Sequence, residues 1–346
     1  MKVDRVFKAN NFDFLRFLFA IFVVVSHSYA LVGVGETSQW LSKITNHQIN
    51  WASIGLNGFF VISGYFIFQS LERSRSLHDY FKKRILRVFP GLLVVLIITV
   101  CLLPFLHRAG NVIFKQVDFY TYLPLNLSLY GFQSTVAGVF DTNKYHAING
   151  SLWTIRYEFT LYIALGFLFW IKENKNKVRL LLWITFLSMY LFFVFGMGRF
   201  GNSNVMTLQG YEFFNLGTFF AAGSALASIK FEKLVSLSML VISFLSLLMA
   251  LHLGFYSLFK HLFFPVLVLC IGFTALPFFS TFGKYGDSSY GIYIYSFPVQ
   301  QILVSTFHTD VYSLICFSIV IATLVGYVSW HLIEKKALNL KRSCNL

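Results

Sequence analysis

Residues Asn11 to Ala30 read NFDFLRFLFAIFVVVSHSYA. The stretch is apolar and matches the ~20 residues that an α-helix needs to cross a bilayer. Within it lie Arg16 and His27. An ionisable side chain in a spanning helix is costly, roughly 2.5–3.5 kcal/mol for arginine on insertion scales, so it faces a polar interior and marks function by default. The two residues are 11 positions apart. That is about three turns at 3.6 residues per turn, so both project from nearly one face, roughly 16 Å apart along the axis. On this segment alone a second reading stands equally well: Arg16 snorkels to the headgroups and His27 bonds a neighbouring helix. Lys2, Arg5 and Lys8 followed by Ser28-Tyr29-Ala30 imitate a cleavable signal peptide. Asp13 and Arg16 interrupt the apolar core such a peptide requires, so the segment is expected to be a retained first helix.

The rest of the chain has the same character. Its 346 residues are 57% hydrophobic, 19% aromatic and only 12% charged. A soluble domain carries about 25% charged residues, so the expected fold class is an all-α, polytopic integral membrane protein. Apolar stretches at about 11–33, 52–71, 89–106, 150–171, 180–197, 211–229, 234–252, 260–279, 290–308 and 311–333 give about ten transmembrane helices.

The net charge of +14 would suggest nucleic acid in a soluble protein. Here its distribution gives a different explanation. Basic residues crowd the N-terminal tail, the loop after span two (Arg73, Arg75, Lys82, Lys83, Arg84, Arg87), the loop after span four (Lys172, Lys175, Lys177, Arg179) and the C-terminal tail (Lys335, Lys336, Lys341, Arg342). Odd-numbered loops hold few. The positive-inside rule then places both termini in the cytoplasm and expects no nucleic-acid partner. One transmembrane domain, with a core of about 11–333 and no appended soluble domain, accounts for residues 1–346. The longest loop, about 107–149, is expected outside, with room for a re-entrant or interfacial piece. Cys101, Cys270, Cys316 and Cys344 have no metal-ligand spacing, and the nine histidines form no H-x-x-x-H pattern, so no metal site is expected.

Four further stretches carry candidate chemistry. In Gly58-Phe59-Phe60-Val61-Ile62-Ser63-Gly64-Tyr65-Phe66 the small residues let a helix or a ligand approach the backbone closely. Arg84 and Arg87 are three apart and share a helix face, just before Pro90 at the start or kink of the next span. Two guanidiniums so placed suit phosphate, or anchor the chain to anionic lipid. In Asn149-Gly150-Ser151-Leu152-Trp153-Thr154-Ile155-Arg156-Tyr157-Glu158, either Asn149 or Ser151 can cap the helix. Arg156 and Glu158, two apart, point to different faces, and each needs its own partner or a water-filled cavity. Gly286-Asp287-Ser288-Ser289-Tyr290 enters span nine, and Trp330-His331-Leu332-Ile333-Glu334-Lys335 leaves span ten, where a solvated helix end is the plainer reading of Lys335.

Together these pieces resemble the acyltransferase family 3 membrane proteins, which acylate hydroxyl groups on sugars and related acceptors. The resemblance covers nearly the whole chain. It rests on Arg16 and His27 at R-x10-H spacing, GFFVISGYF at 58–66, Arg84, Arg87 and Pro90 as R-x-x-R-x-x-P, SLWTIRYEF at 151–159, SYGIYIYSFP at 289–298, and the terminal WHLIEK. One departure is Ser296, where many members have histidine, so no role of that histidine is carried over. The extracytoplasmic hydrolase-like domain that some members bear is not expected here.

The resemblance implies acyl transfer, usually of acetyl, from cytoplasmic acyl-CoA to a hydroxyl of a cell-surface polysaccharide or its lipid-linked precursor in the bacterial inner membrane. His27 would be the general base or an acyl carrier, Glu158 its orienting carboxylate, and Arg16 a stabiliser of thioester charge. Arg84 and Arg87 would hold the donor's phosphates, with Ser63 and Gly64 passing its pantetheine arm. Competing readings are a transporter or flippase of a lipid-linked sugar, and a non-catalytic subunit of an envelope-polymer machine.

Overall fold

The structure, a computed structural model, describes residues 10–274, 276–307 and 309–340. The basic residues Lys2, Arg5, Lys8, Lys341 and Arg342, and Cys344, lie outside them. The chain is mostly helical. Its main helices are α1 (Phe12–Leu31), α2 (Trp51–Glu72), α3 (Leu77–Leu106), α4 (Val117–Leu127), α5 (Gly150–Ile171), α6 (Lys175–Phe200), α7 (Gly210–Ser228), α8 (Leu237–His252), α9 (Tyr256–Phe273), α10 (Ser289–Phe307) and α11 (Val311–Ser329). A two-stranded hairpin pairs Asn204–Val205 with Leu208–Gln209.

Seven helical stretches among the described residues are long and apolar enough to cross a membrane: α1, α2, α3, α5, α6, α9 and Val311–Asn339. The chain is an integral membrane protein. Three other expected spans, α7, α8 and α10, fall outside that set. α8 is only 16 residues long. α7 and α10 are interior helices, and with neighbours on most sides they carry Asn215, Ser224, Gln300 and Gln301 in place of lipid-facing aliphatics.

Helix α1 packs between α2 and α10, α2 between α1 and α7, and α7 between α2 and α6. Small residues set the closest of these contacts. A Cβ on Gly64 would collide with the Phe220 carbonyl oxygen, and one on Gly223 with that of Val61. Ser224 Oγ donates to the Gly64 carbonyl at 3.0 Å across the same interface. Without a hydrophobic drive between helices in lipid, this close van der Waals fit and interhelical bonding hold the pair.

Local signals explain the helix starts. Asn50 caps α2, accepting from Ser53 N at 2.7 Å, and Asn149 accepts from Ser151 N at 3.2 Å. Ser76 caps α3 at 3.0 Å from Asp79 N. α3 therefore begins at Leu77, about three turns before the expected 89, and Pro90 lies inside it. The basic run read as a loop is a helical extension that carries Arg84 and Arg87 into the bundle.

At the far end of the chain, α11 passes into a π-helical turn, Trp330–Glu334. The wider turn rotates Glu334 inward, where it is 2% exposed. The long loop after α3 folds over the bundle end: α4 lies within it, and Gln301 ties it down through Tyr145 and Ala147 carbonyls, each at 2.6 Å.

Candidate active site

Two cavities enter the bundle from opposite ends of α1 and α2. The first, of about 450 Å³, contains Arg16 from α1, Ser63 from α2, Arg84 and Arg87 from α3, and Glu158 from α5. The second, of about 410 Å³, contains His27 from α1, Asn57 from α2, Glu212 from α7 and Lys260 from α9. Leu56 lines both. The helical spacing of Arg16 and His27 thus places them in different chambers, one at each end of a single helix.

In the first cavity charge is closely balanced. Arg87 Nη2 donates to Asp287 Oδ2 at 2.7 Å, and its Nη1 lies 3.8 Å from Glu334 Oε2. Arg16 Nη1 lies 3.2 Å from Asp13 Oδ1 and 3.9 Å from Asp287 Oδ2. Burial alone would raise the Asp287 carboxyl, but the Arg87 and Arg16 guanidiniums outweigh it and hold it at about 2. Arg84 is handled differently. Its Nη2 donates to Ser70 Oγ at 3.1 Å, and its guanidinium carbon sits 5.9 and 5.8 Å from the Tyr80 and Tyr162 rings. Its buried Nε has no hydrogen-bond partner among the described residues.

Glu158 Oε1 accepts from Ser63 Oγ at 2.8 Å and from the Tyr162 hydroxyl. Among the described residues no hydrogen bond joins Glu158 to His27. The expected carboxylate–imidazole pair is not formed: the two side chains line different cavities, which share Leu56. Gly64 does not line the cavity either; it is spent on the contact with α7. Arg156 and Glu158 do face opposite ways: Glu158 lines the first cavity, while Arg156 lines a third, with Trp153 and Tyr157.

In the second cavity His27 is partly exposed, with Phe297 edge-on at 5.0 Å. Among the described residues its Nδ1 is buried without a hydrogen-bond partner, so nothing at that nitrogen fixes the imidazole tautomer. The surrounding backbone is firmly held. Gln300 Nε2 donates to the Val24 carbonyl at 2.9 Å and to Ser28 Oγ at 2.7 Å. Ser296 is buried and its hydroxyl bonds back to the Tyr293 carbonyl at 3.4 Å. Glu36, in the connection after α1, accepts from Asn50 Nδ2 at 2.9 Å, and burial pushes its carboxyl up while the Ser26 hydroxyl pulls the other way. Lys260 Nζ donates to Asn215 Oδ1 at 2.7 Å.

A family model described as an acyltransferase domain matches residues 10–331. This chain belongs to acyltransferase family 3. It is an O-acyltransferase, and the transporter and non-catalytic readings give way to that assignment. A protein described as "O-acetyl transferase" in Shigella phage Sf6 is 30% identical over 349 residues, covering 96% of each chain. "Nodulation protein 10" of Rhizobium leguminosarum bv. viciae is 32% identical over 165 residues, 46% of this chain and 44% of that one. No solved structure matches.

Sequence reasoning singled out neither Asp287 nor Asp13 as partners of the arginines. Asp287 is 200 residues from Arg87, and only the short polar run before α10 hinted at it. Lys260 and Glu212 were also passed over, Lys260 because it read as a span boundary.

Proposed function

We propose that this protein moves an acyl group, acetyl by default, from cytoplasmic acetyl-CoA to a hydroxyl of a cell-surface polysaccharide or its lipid-linked precursor. The membrane would be the bacterial cytoplasmic membrane, with both termini inside, as the charge distribution along the loops favours. The observation that carries this reading is the pair of cavities meeting at Leu56. One is lined by Arg84, whose unpaired Nε suits a phosphate of the donor, beside the paired Arg16 and Arg87, and the other is polar and contains the imidazole. A donor on one side of the membrane and an acceptor on the other require such an arrangement. The description of the phage relative as an O-acetyl transferase supports acetyl as the group moved.

In this reading the donor's phosphates lie near Arg84, whose Nε is unpaired, and its thioester arm passes Ser63 and Glu158 toward Leu56. Arg16 and Arg87, already neutralised by Asp13, Asp287 and Glu334, position the donor channel. His27 takes the proton of the acceptor hydroxyl as its oxygen attacks the thioester carbonyl carbon. The carbon–sulfur bond breaks, and the thiolate leaves and is protonated to free coenzyme A. An acyl-His27 intermediate divides the same transfer into two steps. Neither route uses a carboxylate behind the imidazole, so His27 acts without the third member of a triad.

The test uses membranes containing the protein, given acetyl-labelled acetyl-CoA, with His27→Ala at matched expression as control. Label in the glycan or lipid-linked sugar fraction, dependent on His27, is the expected result. Label that is independent of His27, or coenzyme A never released with any glycan supplied, would overturn the reading.

A further inference from the structure

Arg156 is the one charged residue of the SLWTIRYEF stretch that the transfer chemistry leaves without a task. Its guanidinium carbon lies 5.2 Å from the Phe132 ring and 5.4 Å from the Tyr157 ring. Its Nε is buried with no hydrogen-bond partner, and among the described residues no carboxylate lies within ion-pair distance. A cation kept this way within a membrane protein is expensive and conventionally serves a ligand.

The space beside it is a cavity of about 410 Å³, lined by Arg156, Asn202, Asn204, Thr207 and Gln209. Trp153 and Glu212 line this cavity and also the His27 cavity, so the two adjoin across that pair of side chains. The side chains of Asn202, Asn204 and Gln209 are exposed.

The hairpin that presents them is held in an unusual form. Met206 and Thr207 have φ of 49° and 65°. A two-residue turn of that kind matches the strand twist but is normally made by Asn-Gly or Asp-Gly, and a β-branched residue there is strained. Two bonds tether it. Thr207 Oγ1 donates to the Tyr130 carbonyl at 2.9 Å, and Gln209 N donates to the Tyr157 hydroxyl at 2.9 Å. The strain is thus maintained by contacts that fix the hairpin over the cavity mouth.

The geometry points to a second carbohydrate subsite here, so that the acceptor is a glycan chain of at least two sugar units. The unit to be acylated sits by His27, and its neighbour sits between Trp153, Arg156 and the hairpin. This rests on the acyl-transfer reading above. Side-chain amides both donate and accept, which matches the adjacent hydroxyls of a sugar, and a guanidinium adds donors in a plane. The Trp153 ring, packed edge-on against the buried Tyr157, provides an apolar wall for the C–H face. A few placed polar groups against aromatic walls are the usual make-up of a small-molecule site. An acyl chain would leave these polar groups unpaired, and Glu212 at the junction would repel a phosphate.

The experiment uses the full-length protein in nanodiscs. The probes are oligosaccharides of one, two and three sugar units, released by mild acid from the surface polysaccharide of cells that carry the protein. Binding is read by tryptophan fluorescence and by calorimetry. The wild type is expected to gain about tenfold in affinity between one unit and two, equivalent to about 1.4 kcal/mol. Arg156→Gln, and separately the exposed pair Asn204→Ala/Gln209→Ala, should remove that gain and leave single-unit affinity within about twofold. A wild type with no gain, or variants that keep it, would overturn the subsite. Acetyl transfer to the same probes is followed in parallel. A ladder of affinities without any transfer would contradict the acyl-transfer reading and leave the subsite standing.

Discussion

The cavities on either side of Leu56 are similar in size, about 450 and about 410 Å³, yet they hold charge in opposite ways. Around Arg16 and Arg87, charge answers charge: Asp13, Asp287 and Glu334 surround two guanidiniums. Around His27, no ion pair forms among the described residues: Lys260 bonds to an asparagine oxygen and Glu36 accepts from an asparagine amide, with Glu212 in the same cavity. The difference shows that arginine at the first cavity is not by itself a sign of phosphate binding. Arg87 is paired within the fold, whereas Arg84 keeps a nitrogen without a partner. Of the two arginines read together from the sequence, Arg84 is the donor ligand under the proposed function, and Arg87 is the structural cation that holds α3, α10 and the end of α11 together.

Substitutions can break this contrast from either side. His27→Ala should have the largest effect, lowering acyl transfer by about 10²–10⁴, the range of a lost general base, with donor affinity unchanged. Initial rates and equilibrium binding of labelled acetyl-CoA, measured on the same preparation, check it. Next is Arg87→Leu. It leaves Asp287 and Glu334 without their cation, and since side chains of Arg87 and Asp287 remain 24% and 13% exposed, a loss near the lower end of the buried-pair range, about 3 kcal/mol, is expected. Thermal unfolding in detergent reads it, and adding Asp287→Asn should return part of the loss. Arg84→Ala should be milder: about a tenfold rise in apparent KM for acetyl-CoA, or about 1.4 kcal/mol, with kcat nearly unchanged. A fall in kcat with constant KM would make Arg84 structural as well.

The smallest effect is one of pH. Asp287 is held at about 2, below its ordinary 3.8. A carboxyl whose folded pKa is the lower one contributes stability in full above the ordinary value and loses it as pH falls from about 4 toward 2. Asp287→Asn should therefore blunt the decline in thermal stability seen on acidification below about pH 4. Unfolding scans of both proteins down to pH 3 would show this.

Much of the architecture was legible because a bilayer enforces it. Apolar runs of spanning length placed α1, α2 and α5 within about two residues, and the two-residue offset of Arg156 and Glu158 separated their faces correctly. The misses share a physical cause. Helix α3 begins at Leu77 because its basic first turns are helical without being apolar, which hydropathy cannot register. Helices α7 and α10 were placed to within one residue, although their buried amides keep them outside the set of strongly apolar spans. Glu334 is turned inward by a π-turn, a change in helical period that no residue pattern announces. The Arg87–Asp287 bond joins residues 200 positions apart, and a single chain carries no record of such pairing. The same limit explains why His27 and Glu158 were joined as a catalytic pair: both are intramembrane ionisable groups, and nothing in their spacing reveals that they line different cavities.

Leu56, which lines both cavities, offers the most direct measurement. If the two cavities are halves of one transfer path, Leu56→Trp should plug it where they meet. Transfer of labelled acetyl to glycan should then fall at least about 100-fold, while acetyl-CoA binding and thermal stability stay near wild type. A folded Leu56→Trp protein that transfers acetyl at the wild-type rate would show that the acyl group does not pass this point, and would contradict the two-chamber path.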